Sequence, residues 1–380
     1  MTSPEVPRYI DPHTGKTYPL SDSRWRSEEG NPMMITPLPG ITRDDIERDR
    51  RSIWRYRAAL PMHIDKPVSM GEGCTPMVEK SWRGLAPLFK LEWFNPTSSF
   101  KDRGASVLIS CLRQSGITSI LEDSSGNGGA AIAAFGAAAG MQVRVLAPSY
   151  TPPAKIAQIR AFGAEVQLVP GPREASETEA IRQSADVFYA SHNWHPFFLQ
   201  GTKSIAYEIW EDLGFRAPDN IVVPAGAGSN VLGCAIGFSE LLAAGQIRKL
   251  PRIFAAQPLH CSPVDASFEA GVLTMVEREV KPTVAEGTAI RGPIRLKEML
   301  LAIRKSGGST VALTEAQILD AVVELATKGL YVEPTSATAA AALDVLLDRG
   351  AIKPAETTVV VMTGSGLKAT QLMLELFGGK

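Results

Sequence analysis

The chain has 380 residues, 44% of them hydrophobic and 21% charged, with a net charge of -1 and a pI near 6.6. That balance excludes a polyanionic partner such as nucleic acid and an anionic membrane surface, so a small-molecule ligand is expected. The length exceeds the roughly 250–300 residues at which one core stops growing, and two domains are expected. Cys74, Cys111, Cys234 and Cys261 make no C-x-x-C pair, so neither a disulfide framework nor a zinc knuckle is implied, and a reducing cytoplasm fits. Met1–Pro7 lacks the regions of a signal peptide, and the longest small-apolar run, Ala130 to Met141, is broken by glycines, so no membrane segment is expected.

Residues 1–70 are polar and rich in Pro, Arg and Asp, and read as an extension wrapped on a core. The pattern there predicts one helix from Thr42 to Leu60, with Asp44 and Asp45 in its first turn. From Pro87 strands and helices alternate. The expected order is strand 88–91, helix 100–114, strand 118–121, helix 128–139, strand 143–147, helix 153–162, strand 165–169, helix 174–184 and strand 187–190. A second set follows: helix 201–213, strand 220–224, helix 229–243 and strand 252–256. Residues 257–310 give no clear pattern. Helices 314–328 and 336–348, strand 357–362 and a final helix 366–377 complete the chain. Uniformly apolar strands, each followed by a helix, indicate parallel sheets covered on both faces. The fold class expected is α/β, two doubly wound three-layer domains, with a ligand cleft between them. The boundaries expected are an extension 1–70, an α/β domain 71–205 and a second α/β domain 206–380.

Three glycine turns follow strands and open helices: Asp123–Gly129, Pro224–Asn230 and Thr363–Gly366. Carboxyl ends of parallel strands are the ligand side of such sheets, and free N–H groups at a helix start bind anions. Gly126-x-Gly128-x-x-Ala131 fits the dinucleotide fingerprint, but the next strand ends in Ala147-Pro148-Ser149, with no acidic residue for a ribose hydroxyl. The second turn places Val231 where that fingerprint needs a glycine. A dinucleotide site is therefore not expected.

Lys101 stands in the first turn of a helix for which Ser98 and Ser99 are candidate caps. A helix N-terminus disfavours a cation by about 0.3–1 kcal/mol, and with burial it favours the neutral amine, the nucleophile that joins carbonyl compounds. Beside it the glycine turns offer an anion cradle at Gly226, Ala227, Gly228, Ser229 and Asn230, an amide at Asn127 for a phenolate oxygen, and a hydroxyl at Thr363 for a ring nitrogen. Those are the needs of pyridoxal 5'-phosphate.

Six motifs then occur in one order: Gly71-Glu72-Gly73-Cys74-Thr75-Pro76, the run Asn95–Gly104, Ser125-Gly126-Asn127, the Gly226–Asn230 loop, Glu333-Pro334-Thr335-Ser336-Ala337, and Thr363–Lys368. By these the chain resembles the threonine synthase-like family of fold-type II pyridoxal-phosphate enzymes, which have the tryptophan synthase beta-like fold, from Gly71 to Lys368. The resemblance implies that Lys101 carries the cofactor as a Schiff base and afterwards moves protons as the free amine. It places Asn127 at the phenolic oxygen, residues 226–230 at the phosphate and Thr363 at the ring nitrogen. A neutral partner there leaves the ring a weaker electron sink, which suits β- or γ-elimination, with or without replacement, on a serine, threonine or homoserine derivative. A homodimer is expected, as relatives commonly are.

The departures concern the substrate. Where relatives carry an arginine that grips the substrate phosphate, this chain has Phe198, and the residue after Asn127 is Gly128 in place of threonine. Phenylalanine offers no donor to a phosphate dianion, which needs charged donors in a dry site. A leaving group other than phosphate is expected, unless Lys203 or His195 replaces the arginine. Ser99, Ser125, Gly128, His192 and Asn193 are the candidate substrate residues. Two alternatives are a genuine threonine synthase and a catalytically silent cofactor- or amino-acid-binding protein, against which intact Lys101, Asn127 and Thr363 argue. Residues Tyr9–Leu20 resemble a zinc-ribbon-like leader without its cysteines, so no metal is expected.

Overall fold

The computed structural model describes residues 6–151 and 153–378. Strands β1 (Arg8–Ile10), β2 (Thr17–Pro19), β3 (Met34–Ile35), β4 (Met77–Glu79) and β5 (Leu88–Leu91) precede helix α1 (Lys101–Gln114). Then come β6 (Ser119–Glu122), α2 (Asn127–Ala138), β7 (Gln142–Pro148), α3 (Pro153–Ala161), β8 (Glu165–Val169), α4 (Arg173–Gln183), β9 (Phe188–Tyr189), α5 (Pro196–Thr202) and α6 (Ser204–Asp212). The remainder is β10 (Asn220–Pro224), α7 (Ser229–Ala243), β11 (Arg252–Pro258), α8 (Pro263–Glu269), α9 (Leu296–Ser306), β12 (Thr310–Leu313), α10 (Glu315–Thr327), α11 (Pro334–Asp348), β13 (Thr358–Met362) and α12 (Thr370–Phe377).

These elements form two compact α/β units: the described residues up to 72 with 101–204, and 73–100 with the chain from 205 onward. The segment 73–100, expected with the first α/β domain, thus lies in the second. The cause is non-local pairing, since β5 pairs in parallel with β13 and antiparallel with β4.

The first unit holds a parallel sheet of order β8-β7-β6-β9. Successive residues of β6 serve opposite faces: Ile120 joins a core with α1 and α2, and Leu121 one with Trp25, Leu146 and Ala180. This is a three-layer arrangement. In the N-terminal part β2, β1 and β3 form a small antiparallel sheet. The carboxylate of Asp11 accepts from the His13 N–H at 2.8 Å and from Asn31 Nδ2 at 3.0 Å. Burial pushes this carboxyl up, but donors from Asn31, His13, Ser27 and Thr14 outweigh it and hold it at about 2. The helix expected over 42–60 is two short 3-10 segments, 43–45 and 53–59. Thr42 and Asp45 close a capping box around one turn, and Ser52 caps a separate start, so local side-chain bonds end the first turn before it propagates.

The second unit holds a six-stranded sheet of order β12-β11-β10-β13-β5-β4, parallel except at the β4 edge. Alanine-rich α11 packs closely on it, with Val222, Val360 and Phe254 in the shared core. Lys90 on β5 is fully buried, its ammonium 2.7 Å from Glu208 and 2.8 Å from Asp212. The helix expected over 201–213 is α5 and α6, and the final one is a 3-10 turn at 366–369 followed by α12. Residues 257–310, unread in the sequence, carry α8 and α9 and lead into β12.

Candidate active site

In the first unit Lys101 opens α1 and is partly buried. Burial is the largest influence on its amine and lowers it from 10.5 to about 8, with the nearby Arg173 charge acting the same way and Glu122 opposing it. A neutral amine is therefore within reach of physiological pH. The ammonium lies 5.4 Å from the centre of the Phe198 ring, and Phe198 is fully buried in α5. That ring fills the space over Gly104, where an added Cβ would meet it at 2.5 Å.

Behind Phe198 stands a buried pair absent from any sequence motif. Glu122 ends β6, and its Oε1 lies 2.8 Å from Nδ1 of His192, while the backbone N–H groups of His192 and Asp123 donate to the same carboxylate at 3.1 Å and 3.0 Å. Burial pushes Glu122 up to about 7 against those donors and the charges of Lys101 and Arg173. Burial, then the Lys101 charge, holds His192 well below the ordinary imidazole range. Asp123 forms an ion pair with Arg173 at 3.2 Å and accepts from the Tyr189 hydroxyl at 2.7 Å. The signal for this cluster was a pair of carboxylates, Glu122-Asp123, at the carboxyl end of a buried parallel strand, the ligand edge of such sheets.

His192 explains Gly128. A Cβ at 128 would lie 2.6–2.9 Å from Cε1, Nδ1 and Nε2 of the imidazole, so the ring occupies the place of a side chain on the first turn of α2. Asn127 begins that helix, whose N-cap Gly126 makes no side-chain cap bond, and Ser125 lies in the turn before it. Asn193 stands in the turn after His192, its N–H donating to the Ser191 hydroxyl at 3.3 Å. The structure thus brings Lys101 together with Glu122, His192, Phe198 and Gly128. The two cations considered as arginine replacements serve other contacts. Lys203 donates to the Ala59 carbonyl at 2.7 Å, and His195 accepts from the Phe197 N–H in capping α5.

In the second unit the 226–230 loop runs from β10 into α7, whose N-cap Gly228 makes no side-chain cap bond. Gly228 has φ +101°, a left-handed conformation that favours glycine, and Met299 packs where its side chain would be. A Cβ on Gly226 would meet the Gly287 carbonyl at 3.1 Å. Asn230 Oδ1 is buried without a hydrogen-bond partner. A helix start without a side-chain cap, a left-handed Gly228 with no room for a side chain, a tightly packed Gly226 and an unmatched amide fit a phosphate monoester. Neighbouring β13 ends at Met362, and the next residue, Thr363, has its hydroxyl 2.9 Å from that of Ser336. Ser99 bridges Gly364, and Phe100 N–H donates to the Thr363 carbonyl at 3.0 Å. Ser99 Oγ, expected to cap α1, is buried with no hydrogen-bond partner, because α1 starts two residues later and the Ser99 backbone is engaged with Gly364.

Residues 68–364 match the family model described as pyridoxal-phosphate dependent enzyme. The chain belongs to that family. Its cofactor is pyridoxal 5'-phosphate. Among curated proteins the chain is 34% identical to threonine synthase of Methanosarcina acetivorans, over 88% of this chain and 85% of that one. It is 33% identical to threonine synthase of Methanocaldococcus jannaschii, over 93% and 91%. A solved fungal L-serine ammonia-lyase from Rhizomucor miehei superposes with a TM-score of 0.69 at 21% identity, covering 82% of this chain and 98% of that one, a likeness of fold. Among the described residues no helix is long and apolar enough to cross a membrane.

Proposed function

We propose that this protein is a pyridoxal-phosphate-dependent lyase that eliminates a substituent carrying no charge in the substrate, hydroxyl or acyloxy, from a small amino acid of the serine, threonine or homoserine type. Lys101 would hold the cofactor's aldehyde, Asn127 its phenolic oxygen, residues 226–230 its phosphate and Thr363 its ring nitrogen. When bound, the cofactor supplies an electron sink for the α carbon of the amino acid. Lys101, lowered toward neutrality, takes the α proton as a base tuned to the working pH.

The observation that carries the choice of leaving group is the Phe198 ring, 5.4 Å from the Lys101 ammonium, at the position where the family resemblance implies a phosphate-gripping arginine. A hydrocarbon face supplies no charged donor to a dianion, and Lys203 and His195 have other contacts. The relatives named threonine synthase support a second reading, release of phosphate from O-phospho-L-homoserine with addition of water. Incubation of purified protein with L-serine, L-threonine, their O-acyl esters and O-phosphohomoserine decides between them. Ammonia and an oxo acid from the first group support the proposal, and phosphate release from the last alone supports the second reading. The four cysteines, none of them in a disulfide, favour a reducing cytoplasm, and we further infer a homodimer, which sedimentation tests.

A further inference from the structure

We propose that His192, held by Glu122, is a second proton-transfer residue that serves the leaving group, while Lys101 serves the α carbon. The inference rests on the elimination reading above. Three independent features carry it. The imidazole is held at Nδ1 by a carboxylate 2.8 Å away, so Nε2 is the ring nitrogen that Glu122 does not engage. The ring lies over the first turn of α2, in space kept open by Gly128, and it shares the Phe198 ring with Lys101: the His192 and Phe198 ring centres are 5.7 Å apart. The carboxylate itself is fixed by two backbone N–H groups, so the pair has one orientation.

The pair binds protons as a unit. With one proton bound it sits on Nδ1, and Nε2 is an acceptor. With two bound, Nε2–H is a donor. Lys101, Asp123 and Arg173 are the charged groups acting on the pair. In the elimination Lys101 takes the α proton, the bond from the β carbon to oxygen breaks with its electron pair going to oxygen, and Nε2 gives that oxygen a proton. The leaving group departs as water or as a carboxylic acid. The unsaturated product is then hydrolysed to ammonia and an oxo acid, Lys101 gives up the α proton to solvent, and the pair regains its proton from solvent. A hydroxyl is a poor leaving group unless protonated, so the arrangement suits a substrate of the serine or threonine class.

The test compares L-serine, whose hydroxyl must be protonated, with β-chloro-L-alanine, whose chloride leaves without a proton. His192→Gln should lower kcat/KM for serine by about 10²–10⁴-fold and for the chloride by less than about tenfold. Glu122→Gln, a variant of the positioning residue, should show the same selectivity to a smaller degree. Independently of turnover, nitrogen NMR of histidine-labelled cofactor-free protein should show the His192 proton on Nδ1, with Nε2 titrating and its tautomer lost in Glu122→Gln. Wild type inert with both substrates would overturn the elimination reading and this inference with it. Wild type active with both, and His192→Gln equally impaired on both, would overturn this inference alone. So would an Nε2 that ignores pH, whether or not the variants fold.

Discussion

Replacing Lys101 by Met should stabilise the cofactor-free protein at pH 7. Burial lowers the amine from 10.5 to about 8, so the folded state binds the proton more weakly than the unfolded chain does. At about 1.4 kcal/mol per tenfold change in affinity, the shift sets a ceiling of about 3 kcal/mol on what the charge costs. Because the side chain is only partly buried, solvent screening reduces the expected gain to about 1–2 kcal/mol. The penalty is full below about pH 8 and gone above about pH 10.5, where the lysine is neutral in both states. Urea denaturation of wild type and Lys101→Met at pH 7 and near pH 10.5 measures this, and the difference between the two gains removes any pH-independent effect of methionine packing. A gain confined to neutral pH is expected. The same change in stability at both pH values would refute the claim that burial suppresses this amine's charge.

Gly128→Ala places a methyl group 2.6–2.9 Å from the His192 ring and should destabilise by about 1–3 kcal/mol, with much of that loss recovered in the Gly128→Ala/His192→Ala double variant, read by urea midpoints. Gly228→Ala forces a side chain into the left-handed region against Met299, and should cost about 1–3 kcal/mol and weaken cofactor binding at least tenfold, measured by titrating cofactor-free protein with pyridoxal phosphate and following absorbance. Asp11→Ala removes a carboxylate that gathers several donors and should destabilise the N-terminal sheet by about 1–3 kcal/mol near pH 7. That contribution is present above about pH 4 and lost as pH falls through about 2, so wild type and variant should converge in strong acid.

The alternating strands and helices, the glycine turns and the unusual lysine could be read from sequence because each is a local rule: apolar runs, turn residues and a helix start. The 226–230 loop is one of these, with a left-handed glycine at 228 where Met299 leaves no room for a Cβ. What could not be read depends on distant partners. β5 looked like the first strand of the first α/β domain, but its neighbours are β4 and β13, and Lys90 within it is matched by Glu208 and Asp212 from far along the chain. Residues 257–310 were opaque because α8 is short and most of the stretch is irregular. Glu122 and His192 are 70 residues apart, and only the fold reveals them as a pair. Phe198 reads in the sequence as an apolar residue where the resemblance implies an arginine, and its packing beside Lys101 depends on the fold.

Borohydride reduction of the purified, visible-absorbing protein, followed by peptide mass spectrometry, tests the central claim most directly. A pyridoxyl group on Lys101 in near-stoichiometric yield is expected, with colour and label both lost in Lys101→Ala. A label on another lysine, or full retention of colour in Lys101→Ala, would contradict it.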